Sequence, residues 1–238
     1  MKLLLFRFLF CPFIFILSLS ISSAQTVDEI YERYLDAVGG HQKIDSIKTI
    51  KITGFTQNSV EQKNRLFKAY HQFPNLLKYE LFNENNSFWT CFDGKNLWTY
   101  LPQKGVPVMS SSFGGEVDVD PMFNYFINYK SRNLQSVSVL KKTIDNKSYF
   151  EVHLKGNNRD YLFYLDEKSF ELSLETVISP NSTRETTYSD YRKINGILMP
   201  FLIETKNQGS TFSTSRIIQV IEFNAVFDSS IFNCSNNK

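Results

Sequence analysis

The sequence predicts a mainly β chain: an antiparallel sheet or open barrel, with one helix at its start and a second in mid-chain. Three observations predict it. Aromatic and β-branched runs follow one another across short polar turns, with no helices between them of the kind a parallel sheet needs. In the run Leu76 to Phe82, Leu77, Tyr79 and Leu81 share one face while Lys78 and Glu80 share the other. That period of two implies one buried face and one wet face. Asp93-Gly94 and Asn195-Gly196 stand between such runs, and glycine accepts the positive φ that a tight hairpin turn needs.

Residues 1–24 form a targeting segment. Lys2 and Arg7 precede and enter an apolar run through Phe13, Phe15, Ile16 and Leu17, and Ser22-Ser23-Ala24 supplies small residues for a signal peptidase. The run is too short to need a membrane-spanning reading. Phe8-Leu9-Phe10 before Cys11 lacks the small residues of a lipoprotein cleavage site. The expectation is cleavage after Ala24, export to the periplasm, and a single soluble domain over 25–238. Losing Lys2 and Arg7 takes the basic count from 26 to 24, against 24 acidic residues. A balanced charge argues against nucleic acid as a partner. Of the three cysteines, Cys11 leaves with the signal. Export permits a Cys91–Cys234 bridge. Cys91 in a strand and Cys234 in a polar tail equally suit a buried thiol and a free one.

The elements then follow in order. Thr26 with Glu29 makes a capping box, and Val27, Ile30, Tyr31, Tyr34, Leu35 and Val38 repeat at helical spacing until Gly39-Gly40. A short helical turn spans 42–47, and a strand runs from Thr49 to Gln57. Phe73 to Pro102 holds three strands: Leu76 to Phe82, Ser87 to Phe92 and Leu97 to Leu101. Gly105 to Asp120 is a long aperiodic loop, of the kind that is functional or disordered. Asp120-Pro121 starts a helix to Lys130 that is apolar nearly all round. Strands follow at Leu134 to Lys141, Ser148 to Leu154, Tyr161 to Leu165, Phe170 to Ile178, Thr186 to Arg192, Leu198 to Thr205 and Thr211 to Phe223.

Pro74-Asn75-Leu76, Asp93-Gly94-Lys95, Leu97-Trp98, Tyr100 and Pro102 occur in an order and spacing that resemble the periplasmic lipoprotein carriers of the LolA/LolB-like class. Phe55-Thr56-Gln57 resembles the end of that family's first strand. The resemblance touches most of 26–232 and is specific from Pro74 to Pro102. It implies a curved, half-open β-barrel covered by the N-terminal helix and a mid-chain lid helix. It also implies lipid or lipoprotein acyl chains as partners, with an envelope receptor or membrane protein as a further one. One position departs: the family has an arginine before Pro-Asn-Leu that holds the lid through hydrogen bonds to its carbonyls, and here stands Phe73. Phenylalanine offers only apolar contact.

No catalytic or metal chemistry stands out. His41, His71 and His153 are scattered, Asp118-Val119-Asp120 lacks calcium-loop spacing, and there is no phosphate loop or nucleophile elbow. The reading is therefore apolar ligand binding without catalysis or cofactor. The expected ligand-binding set is Leu77, Tyr79, Leu81, Trp98, Tyr100, Met122, Phe123 and Phe126. The alternative is an exported interaction module whose core is filled and whose sheet contacts another protein.

Overall fold

A computed structural model describes residues 25–83, 86–109 and 125–235 of the chain. Its strands are β1 (Thr49–Asn58), β2 (Arg65–Gln72), β3 (Leu76–Asn83), β4 (Asn86–Asp93), β5 (Leu97–Tyr100), β6 (Pro107–Met109), β7 (Gln135–Ile144), β8 (Lys147–Lys155), β9 (Asp160–Asp166), β10 (Leu172–Ser179), β11 (Ser182–Ile194), β12 (Ile197–Asn207) and β13 (Ser213–Phe223). They form one 13-stranded sheet in the order β6-β5-β4-β3-β2-β1-β13-β12-β11-β10-β9-β8-β7. Two meanders, β1 to β6 and β7 to β13, thus meet at one seam, where β1 pairs antiparallel with β13. The outermost strands β6 and β7 do not pair with each other, so the sheet is a curved, open barrel with helices, as the sequence predicts.

Helix α1 (Val27–Val38) starts where its local chemistry directs. The Thr26 hydroxyl accepts from the Glu29 N–H at 3.2 Å, and the Glu29 carboxylate accepts from the Thr26 N–H at 2.9 Å. Gly39 ends the helix at φ +139°, and a Cβ there would come within 2.9 Å of the Gly196 carbonyl oxygen. The helix end therefore lies close against the β11–β12 turn. Ile30, Tyr34, Leu35 and Val38 are buried against the sheet face that includes Ile50, Phe163, Leu165, Ile197 and Met199. A second short helix, α2 (His41–Asp45), overlaps the helical turn expected over 42–47 and ends two residues earlier.

Three local expectations differ. The described part of the mid-chain helix, Tyr125–Asn128, is a 3-10 turn. Phe126 and Ile127 are buried there, and the Tyr31 hydroxyl donates to the Ile127 carbonyl at 3.0 Å, which ties the turn to α1. Asn133 then takes φ 55° and turns the chain into β7. Phe170 sits at φ 58° in a turn rather than starting a strand, because the Asp166 carboxylate accepts from the Lys168 and Ser169 N–H groups, both at 2.9 Å. The long loop contains the short strand β6.

The outer face of β3 and β4 is not the wet surface that alternation implied. Lys78 is 7% exposed. The C-terminal segment crosses there: the 3-10 turn Ser229–Phe232 packs on β3 and β4, Phe227 lies edge-on to Tyr70 at 5.7 Å, and Cys234 is bonded to Cys91. Lys78 Nζ keeps a partner in Glu80 at 3.0 Å and lies over the Trp89 ring at 5.2 Å. A buried ammonium needs both, since an unpaired buried charge is costly.

The seam depends on Gly54, where the register slips between Thr53 and Gly54. A Cβ at Gly54 would lie 2.3 Å from the Ile217 carbonyl oxygen and 3.0 Å from Ile218 Cα. Gly54→Val is expected to destabilise the fold by about 1–3 kcal/mol in urea denaturation, as overpacking of a fixed backbone does. An unchanged midpoint would show that the seam tolerates a side chain.

The disulfide closes a loop of 143 residues. Chain-entropy reasoning gives such a loop up to about 5 kcal/mol. Cys91→Ala with Cys234→Ala is expected to lower unfolding free energy by about 2–5 kcal/mol, read as a shifted denaturation midpoint. A midpoint equal to that of the native chain would remove the bridge from the stability account.

Candidate functional site

Cross-strand partners share a face of a sheet, and this sorts the predicted residues. Leu77 pairs with His71, Tyr79 with Ala69 and Leu81 with Phe67, and these β2 residues oppose Ile50, Ile52 and Gly54. The predicted strip on β3 therefore lies on the inner face, the one α1 covers further along the sheet. Leu77 is buried; Tyr79 and Leu81 are half-buried and pack against the main core. The Tyr79 and Phe67 rings stack at 5.4 Å. Across β4, the same face continues with Phe88, Thr90 and Phe92, all partly exposed.

Trp98 and Tyr100 go elsewhere. Trp98 pairs with Cys91 and Tyr100 with Trp89, and Cys91 pairs in turn with Lys78. Both rings thus belong to the outer face, where they pack with Trp89, Cys91 and Cys234. The expected set is divided between two sides of the sheet. Phe126 is 0% exposed, with Phe163 at 5.0 Å, Tyr34 at 5.3 Å and Tyr31 at 5.7 Å between ring centroids. It wedges between α1 and the β8–β9 side of the sheet. Met122 and Phe123 lie outside the described residues.

The residues of the quoted motif shape a turn. The Asp93 carboxylate accepts from the N–H groups of Asn96 at 2.7 Å and Lys95 at 2.9 Å, and from Trp98 Nε1 at 2.8 Å. Burial alone would push its pKa up; the hydrogen bonds from Asn96, Trp98 and Lys95 together hold it below the usual carboxylate value. Asn75 Nδ2 donates to the Gly94 carbonyl at 3.3 Å, Leu76 stands opposite Asp93, Leu97 is buried, and Pro102 opens a 3-10 turn. Motif spacing therefore fixes the β4–β5 hairpin and leans β3 on it.

One end of the inner face is polar, which the sequence reading missed. Thr56 stands between Arg65 on β2 and Arg216 on β13. In the next row Thr205 pairs with Thr186, and Thr186 with Glu175. Arg184, two residues along β11 from Thr186, opposes Val177 and Asn207. Glu175 is 2% exposed and accepts from the Tyr188 hydroxyl at 3.4 Å; the Thr186 and Thr205 hydroxyls lie 3.3 Å apart. His71, at the other end of β2, is an inner-face base whose pKa burial pushes down to about 4, with Arg132 adding to the shift.

A separate hollow of about 210 Å³ lies between α1, α2 and the residues around Lys130, over Tyr31, Leu35 and Ile44. It is smaller than the roughly 300–1,000 Å³ of ligand pockets. Polar groups rim it: His41 Nε2 lies 2.6 Å from Glu32, which raises the His41 pKa, and Lys130 Nζ lies 3.0 Å from Asp28. Among the described residues no three His, Cys, Asp or Glu side chains gather as a metal set.

No family model matches the chain, and no curated protein sequence matches it significantly. Solved structures do match. A LolA superfamily protein from Nitrosomonas europaea superposes with a TM-score of 0.63 at 14% identity, covering 87% of this chain and 97% of that one. A DUF1329 family protein from Desulfovibrio piger gives 0.61 at 11% identity, with 87% and 97% covered. A putative outer membrane lipoprotein-sorting protein domain from Vibrio parahaemolyticus gives 0.60 at 11%, with 87% and 96% covered. Similarity that spans nearly the whole of each neighbour, at so low an identity, speaks for the architecture alone: this chain has the LolA-like fold.

Proposed function

We propose that the chain is an exported, non-enzymatic carrier or binding protein for lipid-like ligands, acyl chains of lipids or lipoproteins. The ligand lies on the inner face of the sheet along Leu77, Tyr79 and Leu81. The observation that carries this reading is the apolar wing formed by Tyr79, Leu81, Phe88 and Phe92. These side chains remain partly exposed on the inner face, whereas α1 packs on β12, β7 and the 3-10 turn. Burying about fourteen methylenes there contributes roughly 11 kcal/mol at about 0.8 kcal/mol each. No charged anchor is needed for carriage of that strength. The LolA-like fold, shared with a putative outer membrane lipoprotein-sorting domain, supports the same class. The Cys91–Cys234 bond supports export, because structural disulfides persist in oxidising compartments. Among the described residues no helix is long and apolar enough to cross a membrane.

Leu81 stands between Phe67 and Phe88. A carboxylate there would have to be desolvated by any acyl chain. Leu81→Asp is expected to weaken uptake of a fluorescent fatty acid by at least about tenfold, with the far-UV circular dichroism of the native chain retained. Undiminished uptake by the folded variant would remove the wing from the binding site.

Phe73 takes the place at which the resembled carriers hold their lid with an arginine. Its ring lies edge-on to His71 at 4.7 Å, and its N–H donates to the Lys48 carbonyl. A charged donor to carbonyls contributes roughly 1.5–3 kcal/mol, which would matter to any closed–open balance. The protein is therefore read as a lipid-binding relative that does not serve the usual lipoprotein-releasing machinery. It is expected not to rescue a bacterium depleted of its lipoprotein carrier, with Phe73→Arg assayed alongside. Full rescue by the unmodified chain would overturn the reading.

A further inference from the structure

We infer that the polar end of the inner face is a headgroup site, and that the ligand is an amphiphile with an anionic head, a carboxylate or a phosphate ester. The inference rests on the apolar-wing reading above and adds to it the chemistry of the other end of the ligand.

The placement follows from register. Arg65 and Arg216 flank Thr56 on adjacent strands. With strands about 4.8 Å apart, their Cα atoms stand about 10 Å from one another on one face. Thr205, Thr186 and Arg184 extend the same polar field across β12 and β11. Three guanidinium groups stand at this end with two carboxylates, Glu61, which pairs with Arg65, and Glu175, which accepts from Tyr188. The guanidinium fork suits the oxygens of a carboxylate or phosphate, and threonine hydroxyls can donate beside it. Arg65 adds a second observation. It pairs with Glu61 through Nη2, while its Nε is buried with no hydrogen-bond partner among the described residues. A buried N–H donor without an acceptor is costly, and a headgroup oxygen would satisfy it.

Polar end and apolar wing are continuous. Phe67 follows Arg65 by two residues on β2 and pairs with Leu81; Ala69 pairs with Tyr79 and His71 with Leu77. From Arg65 to His71 the strip runs six residues, about 20 Å at the rise of a strand. The cations thus stand at one terminus of an apolar track, so one molecule can meet both only if its charge is at the end of its chain. A neutral ester or alcohol would offer the buried Arg65 Nε a weaker acceptor than a carboxylate or phosphate oxygen does.

The test is competition against an uncharged phenyl-naphthylamine dye bound to the disulfide-intact protein. The competitors are hexadecanoate, methyl hexadecanoate, hexadecyl phosphate and inorganic phosphate alone. Hexadecanoate and hexadecyl phosphate are expected to bind at least about tenfold more tightly than the methyl ester. Inorganic phosphate alone should neither displace the dye nor give a calorimetric signal. Arg65→Gln with Arg216→Gln should bring acid and ester within about threefold of each other, through weaker binding of the acid. Equal affinity for acid and ester in the native chain would overturn the headgroup site and leave the apolar wing standing, and so would preference retained in the double variant. Tight binding of inorganic phosphate alone would overturn the amphiphile. Failure of dye, acid and ester alike would overturn the wing itself, and this inference with it. The comparison of acid with ester in the native chain decides the matter even where the double variant does not fold.

Discussion

The pairing of β1 with β13 is the constraint on which everything else depends. Each meander is built from hairpins, and α1 and the 3-10 turn pack mainly on the second, through β12 and β7. Joined at the seam, Ile50 and Ile52 from one meander stand opposite Phe223 and Ile221 from the other, and all four belong to or pack on one core. The seam also makes the chemistry of the inner face. Arg65 and Arg216 are brought to either side of Thr56 only because their strands pair with β1. A slip of one residue there would send every inner side chain to the outside, and the slip at Gly54 is fixed by contact with the β13 backbone.

The two faces of the first meander then take different duties. Its outer side is sealed by the C-terminal segment, with Phe227, Phe232 and Cys234 covering Tyr70, Trp89 and Lys78. Its inner side keeps half-buried aromatic and aliphatic groups. A sheet wing packed rigidly from behind can expose apolar surface in front without losing its shape, because its stability comes from the rear contacts.

Much of this was legible in the sequence, and the unread parts have a common cause. Thr26 with Glu29, the Asp93-Gly94 hairpin and the Asn195-Gly196 turn are set by residues within four positions of one another, and they appear where local chemistry puts them. The alternation of Leu77, Tyr79 and Leu81 gave the inner strip. Trp98 and Tyr100 fell on the other side because their parity must be counted across the β4–β5 turn: Phe92 opposes Leu97, so Trp98 opposes Cys91. Lys78 was read as wet because the segment that buries it lies far along the chain. The arginine end needed the β1–β13 pairing, and no local pattern announces a partner so distant. A period-two count over Thr214, Arg216 and Ile218 would have put a cation beside the core, had the neighbour of β13 been known.

On the export proposed above, the disulfide also sets an order of events for a chain that would cross a membrane from its N-terminus. Cys91 emerges early, and its partner comes 143 residues later. In an oxidising compartment Cys91 would stay a thiol throughout that interval, open to any other disulfide it meets, and β1 offers an edge whose mate has yet to arrive. The half-made protein is therefore at its most vulnerable while it already looks like a finished hairpin stack. The last strand and tail end both hazards together, closing the edge and consuming the thiol, so a chain truncated near its end would lose its safeguards before it lost most of its sheet.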